Sequence, residues 1–152
     1  MKRGLTLLEL MIVLVILGIV LSVGVYSYES YSRKISVEDD VHTAYAFIMK
    51  ARVASFTEKE DTYVILINQD GKALVMDNDS DTNNGFIERI DLKNRFLQNI
   101  SYFKFDKNGF ADFQGDIRSY EDVGAQYDCV VISWSRVAKG KYDQNQNKCV
   151  AN

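Results

Sequence analysis

Residues 10–28 read LMIVLVILGIVLSVGVYSY and contain no charged side chain. At about 1.5 Å per residue, a helix over these 19 residues is roughly 28 Å long, close to the hydrocarbon thickness of a bilayer. Charged residues become frequent after Tyr28. The sequence therefore predicts an apolar, membrane-length helix at residues 5–28 that leads into a polar domain at residues 29–152.

The composition of the whole chain excludes several classes of protein. Of 152 residues, 47% are apolar and 26% are charged, which is typical of a folded protein and argues against wholesale disorder. A net charge of −3 argues against a generally basic nucleic-acid binder. With one histidine and two cysteines, a Cys/His zinc site is nearly excluded. The sequence has no nucleophile–base motif and no phosphate-binding loop, so we expect no enzymatic activity.

The apolar run could be a retained membrane helix or a cleavable signal peptide. It is longer than the apolar region of a typical signal peptide, and it continues directly into helical sequence, which favours a retained helix. Lys2 and Arg3 precede the run and Glu29 follows it. By the positive-inside rule, we expect the N-terminus in the cytoplasm and the domain on the other side of a single span.

The residues ahead of the run carry a specific pattern. Residues 2–9 read KRGLTLLE: two basic residues, Gly4, an apolar residue, Thr6, two more apolar residues and Glu9. This segment resembles the N-terminus of the type IV pilin and pseudopilin family. The resemblance implies that residues 1–4 are a leader, and that a prepilin peptidase cuts between Gly4 and Leu5 and methylates the new N-terminus. Leu5 departs from the family, in which the first mature residue is usually Phe.

The resemblance also implies how the subunit assembles. Glu9 would pair with the N-terminal amine of a neighbouring subunit, which replaces a costly unpaired carboxylate near hydrocarbon with an ion pair. Thr6 belongs to the same motif. Many major pilins carry a proline in this helix, whereas this chain has none, so any local melting in the filament should centre near Gly18.

The function implied by the resemblance is that of a structural subunit, a minor pilin or pseudopilin of a type IV pilus or a type II secretion pseudopilus. Its partners would be other pilin subunits, the prepilin peptidase and an inner-membrane assembly platform. The subunit would sit in the inner membrane with its domain in the periplasm and then move into a filament. The sequence does not distinguish between the machines that such a subunit could serve. A single-span anchored domain that is never assembled is the simpler alternative.

Beyond the apolar run, the sequence predicts an α+β domain. Val37, Val41, Ala44, Ile48 and Ala51 recur at helical spacing, which indicates an amphipathic helix over residues 29–57 that packs on an antiparallel sheet. We predict that Phe103, Phe105 and Trp134 belong to the core or the sheet face. The predicted strands are residues 62–68 and 73–76 around an Asp70-Gly71 turn, residues 100–105 and 110–113, residues 129–134, and a last strand from Val137 with a turn at Lys139-Gly140.

Residues 100–109 and 129–133 further resemble the subfamily that contains the H-type secretion pseudopilin and the FimT minor pilin. Cys129 and Cys149 are the two cysteines of the chain. A domain outside the cytoplasm permits a disulfide between them, and disulfides near the C-terminus are common among pilins. Two free buried thiols are the alternative.

An acidic segment, residues 77–88, reads DNDSDTNNGFIE. Asp77, Asp79, Asp81, Asn83 and Glu88 occupy the ligand positions of a calcium loop, and Ca²⁺ is therefore the one possible cofactor. Thr82 stands where the loop pattern has glycine. A solvated Asp/Asn turn without an ion is the alternative.

The end of the chain is locally basic. The last 17 residues contain one acidic side chain, Asp143, and four basic ones. The basic residues are Arg136, Lys139, Lys141 and Lys148. Some FimT-like minor pilins bind DNA through a basic C-terminal region, so the resemblance offers DNA binding for DNA uptake as an alternative function. The acidic charge of the whole domain favours an ordinary solvated terminus.

Overall fold

The computed structural model describes residues 7–67, 70–80 and 85–151. The chain divides into two compact units, Met1–Arg33 and Lys34–Asn152. A single helix, α1 (Leu7–Glu58), supplies the described part of the first unit and continues into the second. The predicted apolar helix and the predicted amphipathic helix form this single element, because no proline interrupts it. It ends where Lys59 takes a left-handed conformation with φ 60°, a common helix C-terminus.

Nine strands follow the helix and form two antiparallel sheets. The first sheet has the order β3-β2-β1-β5 and the second the order β4-β6-β7-β8-β9. The strands are β1 (Thr62–Leu66), β2 (Ala73–Asp77), β3 (Glu88–Asp91), β4 (Phe96–Gln98), β5 (Phe103–Phe105), β6 (Gly115–Ser119), β7 (Cys129–Ile132), β8 (Val137–Asp143) and β9 (Lys148–Ala151). The α+β pilin-like architecture is confirmed, with two sheets in place of the single sheet that was predicted.

The core of the second unit lies between the helix and both sheets. The five periodic apolar residues predicted from the sequence are all buried there, together with Phe47. Alternate residues of the strands complete this core, as the two-residue period of a strand requires. Phe103 and Phe105 are fully buried, as predicted. Trp134 is 60% exposed and lies between β7 and β8, outside both strands, so its prediction as a core or sheet-face residue is wrong.

The hairpin β1–β2 has the predicted position and register, with Val64 opposite Met76. Gly71 takes φ 65° in its turn, and a Cβ there would lie 2.4 Å from the carbonyl oxygen of Phe96. Residues 110–113 do not form a strand, which corrects the prediction. The Asp106 carboxylate accepts the backbone N–H groups of Asn108 and Phe110, which closes a tight turn and leaves a single bridge between Phe105 and Ala111.

The predicted turn at Lys139-Gly140 is also wrong, because β8 runs straight through it. The glycine has another role there. Cys129 on β7 and Cys149 on β9 form the predicted disulfide, which crosses β8. Gly140 lies opposite Cys129, and a Cβ on it would be 3.0 Å from the Cys149 sulfur and 2.2 Å from the Val150 carbonyl oxygen. The glycine therefore leaves the space through which the disulfide and β9 approach β8.

A buried carboxylate fastens the connection between the two sheets to the helix. Asp40, 4% exposed, accepts hydrogen bonds from the backbone N–H groups of Lys93 (3.2 Å) and Asn94 (2.6 Å) and from the Asn94 side chain (2.8 Å). Lys93 and Asn94 lie between β3 and β4, where the chain passes from the first sheet to the second. Asp40 therefore satisfies backbone donors in a segment that has no strand partner.

We expect Asp40→Ala to destabilise the domain, because it leaves buried N–H donors unpaired at a cost of roughly 2–3 kcal/mol. The melting temperature should fall by on the order of 8 °C, measured by near-ultraviolet circular dichroism of the full chain in detergent. Asp39→Ala is the matched control, since Asp39 pairs with Lys93 in solvent and exposed pairs contribute little. Equal melting temperatures for the two variants would contradict this account of Asp40.

We expect Gly140→Ala to displace β9, because the added methyl group meets backbone and not a flexible side chain. Overpacking of this kind costs about 1–3 kcal/mol, and the fraction of free thiols found by alkylation and mass spectrometry should rise. Ala138→Ser, which adds one atom two residues away on the same strand, is the control. It lines a groove of about 300 Å³ and should keep the disulfide. A Gly140→Ala protein with full disulfide content and wild-type melting would refute the crossing role.

Candidate assembly site

The described part of the first unit is one helix whose described side chains are all exposed. Every large apolar residue described between Leu7 and Val25 is between 47% and 80% exposed. Exposed apolar surfaces of this extent do not occur on soluble monomers and mark membrane or protein contact sites. Within the described residues, α1 is the one helix that is long and apolar enough to cross a membrane, by length and composition.

Of the residues predicted to direct processing and assembly, the structure describes Glu9 and Gly18. Glu9 is in its first turn, where a carboxylate interacts favourably with the helix dipole. Gly18 is in regular helix, and a Cβ on it would meet nothing within 4 Å. Gly4, Leu5 and Thr6 lie outside the described residues, so their predicted roles stay predictions.

Two of the four basic residues proposed for DNA binding are engaged within the domain. The Lys139 amine is 2.8 Å from Nδ1 of His42 and lies over the rings of Tyr45 and Tyr127. This places Lys139 on the helix side of the sheet, on the same face as the core residue Val137. A phosphate could reach this ammonium only in competition with its aromatic neighbours.

Lys141 is held by two carboxylates. Its amine is 2.6 Å from Asp128 Oδ2 and 3.4 Å from Asp122 Oδ1, and Asp128 is buried. Burial lowers the pKa of Lys141, but the hydrogen bond and the charge of Asp128, with the charge of Asp122, outweigh it, and the net shift is upward. The contact with Asp128 was not predicted, because nothing in a linear sequence indicates which carboxylate will contact a lysine 13 residues away.

The other two basic residues, Arg136 and Lys148, are exposed and line one groove of about 300 Å³ with Val131, Ala138 and Ala151. Of the four predicted cations, Lys139 and Lys141 therefore contact other side chains of the domain, whereas Arg136 and Lys148 line a surface groove. DNA binding stays a prediction and would rest on Arg136 and Lys148.

The acidic segment is also divided. Asp77 ends β2 and is 5% exposed; its Oδ1 accepts the N–H of Asn78, and its Oδ2 has no hydrogen-bond partner among the described residues. Asp79 is exposed, whereas Asp81 and Asn83 lie outside the described residues. No group of three or more His, Cys, Asp or Glu residues within the described part of the chain is placed to hold a metal ion.

Glu88 has a different partner. The register pairs it with Met76, so its side chain lies on the core side of the sheet and Asp77 lies on the other side. Both oxygens of Glu88 contact the Lys50 amine on α1, at 2.7 Å and 2.5 Å. The structure therefore does not bring Glu88 together with Asp77, and calcium binding stays a prediction.

Comparison with known proteins supports the reading of the N-terminus. The prokaryotic N-terminal methylation motif matches residues 1–25. No curated protein sequence matches the chain.

Comparison of folds finds the type IV minor pilin FimU of Pseudomonas aeruginosa. One crystal structure of FimU aligns with a TM-score of 0.57 at 12% identity, covering 73% of this chain and 92% of FimU. A second crystal form aligns with a TM-score of 0.55 at 15% identity, covering 68% of this chain and 92% of FimU. The chain therefore combines an N-terminal methylation motif with a fold that is similar to that of a type IV minor pilin.

Proposed function

We propose that the chain is a structural subunit, a minor pilin or pseudopilin, of a type IV pilus or a type II secretion pseudopilus. The observation that carries this proposal is the exposed apolar helix Leu7–Val25, which lies within the segment that the N-terminal methylation motif matches. Such a helix requires either lipid or other apolar helices around it. A subunit that moves from membrane to filament uses both environments in turn.

The energetics of that transfer assign a role to Glu9. Lipid tails are as apolar as the helix, so exchanging lipid for neighbouring helices gains little from the hydrophobic effect alone. A carboxylate carried into the bilayer core costs about 2.5–3.5 kcal/mol on insertion scales. Pairing Glu9 with the N-terminal amine of a neighbouring subunit removes that cost in the filament. The apolar surface thus supplies cohesion, and Glu9 supplies the register between subunits.

Processing supplies the partner for this pair. Cleavage between Gly4 and Leu5 by a prepilin peptidase removes the basic residues Lys2 and Arg3. It creates a new amine on Leu5, four residues before Glu9. Before cleavage, the two basic residues hold the N-terminus in the cytoplasm and the domain in the periplasm. The further partners are other pilin subunits and an inner-membrane assembly platform, and the subunit acts without catalysis.

We expect the chain from native membranes or sheared filaments to lack four residues, to carry one methyl group and to be two hydrogens lighter than the reduced form, by intact mass spectrometry. Glu9→Ala should be cleaved normally but recovered in filaments at least tenfold less. Glu29→Ala, in the same helix beyond the apolar run, is the control and should assemble. An uncleaved chain in cells with active prepilin peptidase would instead indicate the simple anchored domain.

Calcium binding is a second candidate function of this subunit. The buried Oδ2 of Asp77, without a hydrogen-bond partner among the described residues, favours it, since a buried carboxylate oxygen is costly unless it is paired or coordinated. We propose Asp77, Asp79 and Asp81 as side-chain ligands, and we leave Glu88 out because Lys50 holds it.

We expect millimolar Ca²⁺ to raise the melting temperature of the full chain in detergent, by several degrees, and Mg²⁺ to raise it less. Asp79→Asn should abolish the calcium effect; because Asp79 is exposed, this variant should fold normally. Asp91→Asn, an exposed aspartate on the neighbouring strand, should retain the effect. An identical calcium response in Asp79→Asn and the unaltered chain would remove the proposal.

A further inference from the structure

Three tyrosines follow the apolar part of α1. Tyr26, Tyr28 and Tyr31 are 79%, 71% and 63% exposed, and they stand directly after Val25, the last residue of the exposed apolar surface. Tyr31 is followed within three residues by two cations, Arg33 and Lys34. A run of apolar residues, then tyrosines, then charges is the order of environments met on leaving a bilayer.

The geometry of the three side chains indicates what they contact. At about 1.5 Å per residue, they occupy a slab roughly 7.5 Å deep along the helix. At about 100° per residue, Tyr28 and Tyr31 lie about 200° and 140° from Tyr26 around the axis. The tyrosines therefore surround the helix at one level and do not follow one face.

This arrangement separates two kinds of partner. A helix that packs on another helix presents a stripe with spacings of three and four residues, as Val37, Val41 and Ala44 do in the core. A bilayer interface is a plane, and it selects residues by depth without regard to their side of the helix. The three tyrosines are spaced by two and three residues and lie at one level of the helix, which fits the plane of a bilayer interface.

We infer that Tyr26, Tyr28 and Tyr31 form an aromatic belt at the outer, periplasmic-side lipid interface, which fixes the depth of the helix before assembly. The inference rests on the membrane anchoring in the proposed function. Their rings lie among the upper acyl chains and their hydroxyl groups reach the headgroups. Measured back from Val25, a hydrocarbon layer of about 30 Å corresponds to roughly 20 residues, so Glu9 lies about 6 Å from the opposite interface, within reach of water.

The depth of the belt can be measured by quenching of tryptophan fluorescence by brominated lipids. Trp134 is the single tryptophan and is exposed, so Trp134→Phe gives a background without tryptophan. Three full-length chains on this background carry Leu17→Trp, Tyr28→Trp or Tyr120→Trp. Each is reconstituted in phosphatidylcholine vesicles with bromines either near the headgroup or near the middle of the bilayer. Tyr120, 57% exposed in the second unit, is the matched control for Tyr28.

The expected quenching pattern tests the aromatic belt separately from the membrane anchoring of the helix. Leu17→Trp lies roughly 16 Å deeper than residue 28 and should be quenched mainly by the deep bromines. Tyr28→Trp should be quenched at least twofold more by the shallow bromines than by the deep ones, and Tyr120→Trp by neither. Deep quenching of Leu17→Trp with Tyr28→Trp unquenched, or quenched best by deep bromines, would overturn the belt and leave the anchor intact. Absence of quenching at Leu17→Trp would overturn the membrane anchoring itself, and the belt with it.

Discussion

The apolar surface of Leu7–Val25 is the constraint on which the other features depend. A single chain cannot cover it, because no described side chain before Lys34 is buried. It must therefore be covered from outside, by lipid or by other helices. Since both environments are apolar, the choice between them is decided by the few polar groups along the helix. Glu9 near one end and the tyrosines at the other are such groups, and in the proposed subunit they would limit how far the helix can shift along its axis.

From Lys34 onward, the same helix obtains its apolar contacts within the chain. Val37, Val41 and Ala44 are buried against both sheets, so this half does not depend on a partner for its core. Asp40 and the disulfide then fix the elements with the least regular pairing: the connection between the sheets and the C-terminal strand.

The sequence predicted what depends on local pattern. The methylation motif, the uninterrupted helix with its buried face, the β1–β2 hairpin and the disulfide were all accessible from spacing, turn residues or resemblance. The predictions that the structure corrects depend on contacts that a linear pattern does not show. Gly140 reads as a turn residue, but it is needed where a disulfide crosses a strand. Residues 110–113 read as a strand, but the Asp106 carboxylate accepts the N–H of Phe110 and a single bridge, between Phe105 and Ala111, remains. Glu88, whose role as a calcium ligand stays a prediction, contacts Lys50, 38 residues earlier.

The same cause changes the meaning of the charged C-terminal region. By sequence, its four cations against Asp143 describe a basic tail. In the structure, Lys141 lies between Asp122 and Asp128, so the local charge of that cluster is −1 and not +1. Lys139 is turned toward His42 and two aromatic rings. Only Arg136 and Lys148 of the four remain available to a polyanion, and electrostatic affinity for DNA grows with the number of phosphates neutralised. Half of the four cations near the C-terminus are therefore engaged with other side chains of the domain.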